Sequence, residues 1–410
     1  MGWYFVFTVG VIACGSIPKG YDEGGFAAAS SLESFMSDFQ LTTGRWNGTA
    51  SQLASRRAVV TSLGVLGAAA GAGAAVALTD RVGRLRAWQA FVAVWMTGFL
   101  AATMASGRLG LLLVARTMPP SRSQYRLVLA VPQIPVGLAL VSSLFLDDTP
   151  RWLAASRGAD AALTALARLR GRSEVDAAVV SEWGEMRRRL ADEEKHRAES
   201  TWAVVREVLS VGSYRRRFLL GLVVQTVAQW SGGNAITYYI ADIFRLAGVA
   251  TRRHSLLTAG SYGATKLVFT VVFAWGLIDY LGRRRFWRGS SNGHNESASH
   301  AAVASVFVYA VGWSVGLCTV QYLYGTEILP TRVRGVCYAV NMAAHWLFQF
   351  AVVAVMPAML ARLDVWGAFV FWAAVCAVGL VVLGLWAPET KGVAMEDMAE
   401  LFEGPCSRRF

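Results

Sequence analysis

The chain has 410 residues, of which 55% are hydrophobic and 16% charged, whereas soluble domains carry about 25% charged residues. A soluble core cannot hide so much apolar surface without leaving patches that aggregate, but lipid accommodates it. The formal charge of +12 falls between the apolar runs, where membrane orientation signals sit, so it marks no nucleic-acid surface.

Fifteen Trp and forty Gly agree with a lipid setting, since Trp anchors interfaces and Gly lets membrane helices pack closely. Five cysteines are an odd number and give no disulfide framework; Cys14, Cys318, Cys337 and Cys376 lie in apolar runs. No metal-type Cys/His spacing and no nucleophile–base constellation occurs. The sequence therefore predicts neither a metal, nor a bound cofactor, nor an enzyme.

A helix needs about 20 apolar residues to span a membrane. Runs of that kind lie at 58–79, 88–105, 127–146, 218–244, 256–281, 301–326, 336–361 and 367–386. A further run, 3–35, leads into Pro18, Gly20, Gly24 and Gly25 and reads as an uncleaved, broken first helix. Only helices satisfy their own backbone groups in lipid, so these nine segments are predicted as helices. Residues 109–118 read as the start of another span that stops at Pro119-Pro120. Between 147 and 216 the chain turns Arg- and Glu-rich, with apolar residues at helical spacing, and predicts short amphipathic helices facing water.

Basic residues orient the spans. Arg81, Arg84 and Arg86, the 147–216 stretch, Arg283 to Arg285, and Arg332 with Arg334 all belong on the cytoplasmic side, which places both termini there. The sequon at Asn47 then falls outside, as a glycosylated residue would.

Two signatures occur twice. Asp80-Arg-Val-Gly-Arg-Leu-Arg86 ends one span and Asp279-Tyr-Leu-Gly-Arg-Arg-Arg285 ends another. Thr149-Pro-Arg-Trp-Leu153 closes the first bundle and Pro388-Glu-Thr-Lys-Gly392 the second. Gly83 and Gly282 allow the tight turn after a span, and the acid–Arg pairs suit a lock between cytoplasmic ends. Duplicated halves are how many secondary transporters are built, with the substrate site between them.

With GYDEGG at 20–25, TDRVGR at 79–84, TPRWL at 149–153, QWSGGNAITYY at 229–239, DYLGRRR at 279–285, EILPTRVRG at 327–335 and PETKG at 388–392, the chain resembles the sugar porter family of the major facilitator superfamily. Among its members it is similar to fungal hexose and quinate permeases. The resemblance implies an all-α, polytopic, two-bundle fold in the plasma membrane, with about nine of the family's twelve spans present. The expected domains are an N-terminal bundle over 1–146, a cytoplasmic linker over 147–216, a C-terminal bundle over 217–390 and a tail over 391–410. The partners implied are the bilayer and a small polar solute, with no nucleic acid and no obligate protein. The expected activity is uptake of a sugar or sugar-like acid by alternating access with a proton as coupling ion. A uniporter, or a non-transporting relative, is the alternative.

The resemblance assigns residues. A carboxylate in a membrane is costly and usually functional. Asp22 occupies the family's proton-binding position with Arg116 as its partner; capping the helix break is its other reading. Gln229, Asn234 and Tyr238 stand where the family binds sugar. Gln229 and Asn234 are five residues apart and Tyr238 four further on, so the three approximate one helix face, loosened by Gly232 and Gly233. The family's first Gln is replaced here by Ala228. Tyr322, His345 and Trp346 occupy its other ligand positions. Lys266 lies in mid-span, too deep to reach water fully. It suits a carboxylate-bearing polyol, or else pairs with Asp22 or Glu23. The cytoplasmic gate comprises Asp80, Gly83, Arg84, Arg151, Asp279, Gly282, Arg283, Glu327 and Arg334.

Three family spans are short or missing. From Asp80 to Pro150 there are about 70 residues, where four spans need about 80. That removes the fifth span and most of the fourth. Residues 286–300 are too short and polar to cross, although Arg283 and Arg334 must both end inside, so the ninth span is missing too.

Overall fold

The computed structural model describes residues 2–21, 35–36, 50–104, 129–197, 201–246, 252–272, 298–388, 390 and 402, and all regular structure among them is helical. The helices are α1 (Trp3–Cys14), α2 (Ala50–Val82), α3 (Arg84–Met104), α4 (Gln133–Ser143), α5 (Pro150–Ser156), α6 (Ala159–Arg170), α7 (Ala177–Arg197), α8 (Thr201–Ser210), α9 (Gly212–Trp230), α10 (Gly233–Leu246), α11 (Arg252–Val272), α12 (Ala298–Glu327) and α13 (Thr331–Trp386). They fall into two units, one of residues 1–40 and 73–200, the other of 41–72 and 201–410. The division at residue 200 lies inside the basic 147–216 stretch, which forms α5 to α8.

In the first unit α1, α3 and α4 pack around Val11, Ala139 and Leu146. The first helix breaks at Gly15-Ser16 rather than at Pro18. The Trp88 indole lies where a Gly15 side chain would stand, and Pro18 sits at the start of the next helical turn, where its missing N–H is harmless. Gln89 bonds Ser143 and Met96 lies on Gly137, so α3 and α4 are antiparallel. Beyond them α6 and α7 are joined by the Arg170–Glu182 pair at 2.5 Å. Asp176 caps α7 by accepting the Ala178 N–H at 2.9 Å, and this bond holds its carboxyl below the ordinary carboxylate range. The cap is therefore intact at neutral pH and is lost as pH falls through that lowered value.

The second unit has its core between α9, α12 and α13, with Leu220, Val224, Val320, Tyr324, Ile328 and Leu383 in one cluster. The span expected as one helix over 218–244 is two. The chain breaks at Ser231-Gly232, where Gly232 adopts φ +92, a conformation easy for glycine and strained for other residues. Trp372 lies over Gly232 and Trp313 over Gly233. Two indoles thus fill the space that two missing side chains leave.

α13 is assigned as 56 consecutive helical residues, which would run about 84 Å if straight. Its contacts reverse instead. Asn341 lies on Gly221, His345 reaches Gln225 and Gln229, and Val353 accepts a bond from Tyr239. Trp372 then lies on Gly232, Gly379 on Val227, and Leu383 packs with Leu220 and Val224. The chain therefore turns back between these stretches, and Val333–Leu363 and Trp366–Trp386 form an antiparallel pair.

The directions of α11 and α12 follow from similar pairs. Phe244 meets Phe307 and Gly233 meets Trp313, so α12 is antiparallel to α10. Tyr262 against Phe307 and Lys266 over Trp313 set α11 parallel to α12.

Among the described residues three stretches are long and apolar enough to cross a membrane, Val306–Glu327, Val333–Leu363 and Trp366–Trp386; Ser62–Ala75 and Gln133–Ser143 are shorter apolar helices. The expected spans at 88–105 and 256–281 run into residues outside the description.

Replacing Gly232 by Ala forces a side chain into the left-handed region and into the Trp372 ring, 2.5 Å from the new atom. The expected loss is about 2–5 kcal/mol from strain and overpacking together. Thermal unfolding of the purified protein in detergent measures it, and an unchanged melting temperature would show that the break tolerates a side chain.

Candidate functional site

The residues singled out for solute binding converge in the second unit. Position i to i+4 along α9 places Gln225 and Gln229 on one face. On the facing helix α13, Asn341, His345 and Gln349 follow the same spacing, and all five are at most 1% exposed. α12 contributes Gln321, also 1% exposed, and its neighbour Tyr322.

Gln225, Gln229, Gln321 and His345 close a ring of hydrogen bonds. Gln225 Nε2 donates to the Gln321 carbonyl at 3.1 Å, and Gln225 Oε1 lies 2.9 Å from His345 Nδ1. His345 Nδ1 lies 3.0 Å from Gln229 Nε2, which donates to Gln321 Oε1 at 3.2 Å. Nδ1 thus faces an acceptor and a donor, so either tautomer satisfies one neighbour and leaves the other short. Tyr322 Oη is 3.5 Å from His345 Nε2, and Trp346 meets the His345 ring edge-on at 5.1 Å.

Asn234 joins through α10, donating from Nδ2 to Gln229 Oε1 at 2.7 Å. On an unbroken helix, residues five apart point about 140° away from each other. The single face expected for Gln229 and Asn234 is therefore not how they meet; the break at Ser231-Gly232 turns Asn234 back onto Gln229. Asn234 Oδ1 is buried with no partner among the described residues. Tyr238 is buried one turn further along α10.

Lys266 lies beside this cluster. Its ammonium donates to Thr237 Oγ1 at 3.0 Å and rests 4.1 Å above the Trp313 ring and 5.7 Å from that of Tyr262. Thr237 follows Asn234 by three residues on α10, so the cation and the amides share one side of that helix.

The expected gate residues are only partly described. In the first unit, Gly83 has φ +104, and a side chain there would strike the Asp148 carboxylate. Asp148 Oδ1 accepts the N–H of Leu85 at 3.4 Å and of Thr149 at 2.8 Å. A distant carboxylate thus caps the start of α3, where the helix dipole favours it. Arg84 is exposed and Arg151 half-buried. Nearby, Tyr4, Asp147 and Arg168 form a triad, with Tyr4 donating to Asp147 at 3.1 Å and Arg168 pairing with it at 2.8 Å. In the second unit, Glu327 accepts from Thr390 at 2.8 Å and Arg334 holds the Leu329 carbonyl at 2.8 and 3.0 Å. Of Asp80 only the helical backbone is described. Asp22, Asn47, Arg116, Asp279, Gly282 and Arg283 lie outside the described residues.

Sequence reasoning missed Gln225 and Gln321. The four-residue spacing of Gln225 from Gln229 was an available signal; Gln321 had none beyond being an amide in an apolar run.

The profile of the family described as "Sugar (and other) transporter" matches residues 94–293 and 288–402. The chain belongs to this family. Its curated relatives include the quinate permease of Neurospora terricola, 27% identical over 321 residues, and a probable quinate permease of Aspergillus niger, 27% identical over 317 residues. Each match covers 71% of this chain and 58% of the relative, so the chain spans less than two thirds of those proteins. Among solved structures, the major facilitator superfamily proton:xylose symporter XylE with bound 6-bromo-6-deoxy-D-glucose gives a TM-score of 0.78 at 17% identity, covering 98% of this chain and 99% of that one. Inward-open XylE from E. coli gives 0.70 at 17% identity, covering 98% and 100%. The chain thus has the polytopic major-facilitator fold, as its motifs implied, and its relatives are permeases.

The ring predicts a graded response at His345. His345→Phe keeps the ring volume but leaves Gln225 Oε1 unpaired, which should cost about 1–3 kcal/mol. His345→Gln, which can still bond, should lose less. Melting of the two variants in detergent compares them, and equal melting would mean that volume rather than hydrogen bonding holds the site.

Proposed function

We propose that a version of this protein with the full set of family spans is a secondary transporter whose second unit binds a hydroxylated carboxylic acid of the quinate or uronate kind and moves it with a proton by alternating access. The observation that carries the reading is Lys266, an ammonium placed one turn along α10 from an amide cluster of the type that binds polyols. Amides match hydroxyl pairs and the cation matches a carboxylate. The quinate permeases among the relatives agree with this chemistry.

The same geometry favours one rival. Thr237, Trp313 and Tyr262 surround Lys266, and such a cage suits a structural cation beside a site for a neutral hexose. Proton coupling is assigned to Asp22 with Arg116, on the family resemblance, and a uniporter is the alternative. The orientation proposed has both termini in the cytoplasm and Asn47 outside, in the plasma membrane.

We also propose that the chain lacks three family spans and does not itself transport. The parallel course of α11 and α12 supports this. Consecutive helices of a bundle joined by short loops are antiparallel, so a parallel pair calls for a crossing between them, and residues 273–297 are all that join Val272 to Ala298. α3 and α4 are antiparallel, as expected if an even number of spans were lost from the first bundle.

Equilibrium dialysis of labelled quinate against the detergent-solubilised chain tests the site. Glucuronate should displace it about ten- to a hundredfold better than glucose, the worth of a charged hydrogen bond. Lys266→Gln should remove that preference; if it does not, the lysine is structural. In a transport-null host the chain should give no uptake above background, and saturable uptake would overturn the missing-span reading.

A further inference from the structure

Both polar atoms of Gln229 have partners in the empty site. Its Oε1 takes the Asn234 amide at 2.7 Å, and its Nε2 is divided between Gln321 Oε1 at 3.2 Å and His345 Nδ1 at 3.0 Å. A solute hydroxyl whose oxygen accepts from Gln229 Nε2 must displace one of these two, since the amide has only two donor hydrogens. Gln321 is the partner whose side chain the rest of the ring does not need. Gln225 binds its main-chain carbonyl, and its own Nε2 turns back to the Cys318 carbonyl at 3.4 Å.

Trading Gln321 for a single hydroxyl exchanges one neutral hydrogen bond for another and gains nothing. A second, adjacent hydroxyl changes the balance. Asn234 Oδ1, on the amide already bound to Gln229, is buried with no partner among the described residues. A hydroxyl that donates to it makes a bond for which nothing is given up, and relieves the cost of an unsatisfied buried acceptor.

We propose that Gln321 is a specificity-determining residue: it occupies Gln229 in the empty site, so that a solute with adjacent hydroxyl groups displaces it and one with a single hydroxyl does not. This rests on the reading of Gln229 as a solute ligand. Gln321 acts here as a competitor, which gives it a sign that a merely structural residue lacks. Removing a competitor strengthens binding; removing a scaffold weakens it.

The test is equilibrium dialysis of labelled quinate, and of labelled 3-hydroxycyclohexanecarboxylate as the single-hydroxyl probe, against the full chain in detergent. Gln321→Met removes the competing oxygen at similar length. Gln321→Asn keeps the amide but draws it back from Gln229, and is the gentler change should the first disturb folding. Both should bind quinate about two- to tenfold tighter, the worth of one neutral hydrogen bond. Both should also narrow the preference for quinate over the single-hydroxyl probe. Unchanged or weaker quinate binding in both variants overturns the inference while leaving the transport reading intact. No quinate binding by the unsubstituted chain at millimolar concentration overturns the transport reading and this inference together.

Discussion

A polar group buried in an apolar medium must find a partner within the protein, since each one left bare costs about 1–3 kcal/mol. The second unit is arranged around that requirement. Gln225, Gln229, Gln321 and His345 come from three helices and satisfy one another almost completely. The ring ties the three helices to one register. A one-residue slip of α13 would swing His345 about 100° away from both glutamines. The break in the α9–α10 span obeys the same requirement. It brings Asn234 within reach of Gln229, which an unbroken helix would not, and the two tryptophans over Gly232 and Gly233 hold it in place.

Much of this was legible in the sequence because the motifs are long. Gln229, Asn234, Tyr322, His345 and Trp346 were named from their positions in family segments, and the structure brings four of them into one bonded group, with Trp346 against the His345 ring. Gly232 and Gly233 were recognised as loosening the helix, but the span was still read as continuous. Apolar periodicity carries no information on where a helix stops when the residues on both sides are apolar. Gln321 was illegible for a related reason. A single amide in an apolar run fits equally a lipid-facing defect, a helix contact or a ligand, and only the partner's position decides among them. Position in the family motif is what lifted Gln229 above that ambiguity, and neither Gln225 nor Gln321 lies within the quoted motifs.

Pairs of contacts fix the directions of the helices within each unit. In the first, α3 and α4 are antiparallel neighbours, joined by the Gln89–Ser143 bond and by Met96 against Gly137. In the second, Phe244 against Phe307 and Trp313 over Gly233 set α12 antiparallel to α10, while Tyr262 against Phe307 and Lys266 over Trp313 set α11 parallel to α12. If a span is lost between α11 and α12, as proposed above, the bonds of the site are still made by residues of the flanking helices.

On the proposed reading, Lys266 is what suits the polar cluster of this unit to an anion. An ammonium away from bulk water loses several kcal/mol of hydration. Its cation–π contacts with Trp313 and Tyr262 return about 0.5–2 kcal/mol each, and the Thr237 hydroxyl returns about 1.5–3. Together these returns are of the same order as the hydration that is lost. On the proposed reading a solute carboxylate would add a charge-assisted bond to Lys266, and hydroxyls on the same solute would meet Gln229 and Asn234 on the same side of α10. The cage that stabilises Lys266 also keeps it from snorkelling towards water, and so holds the charge at the depth where the amides lie.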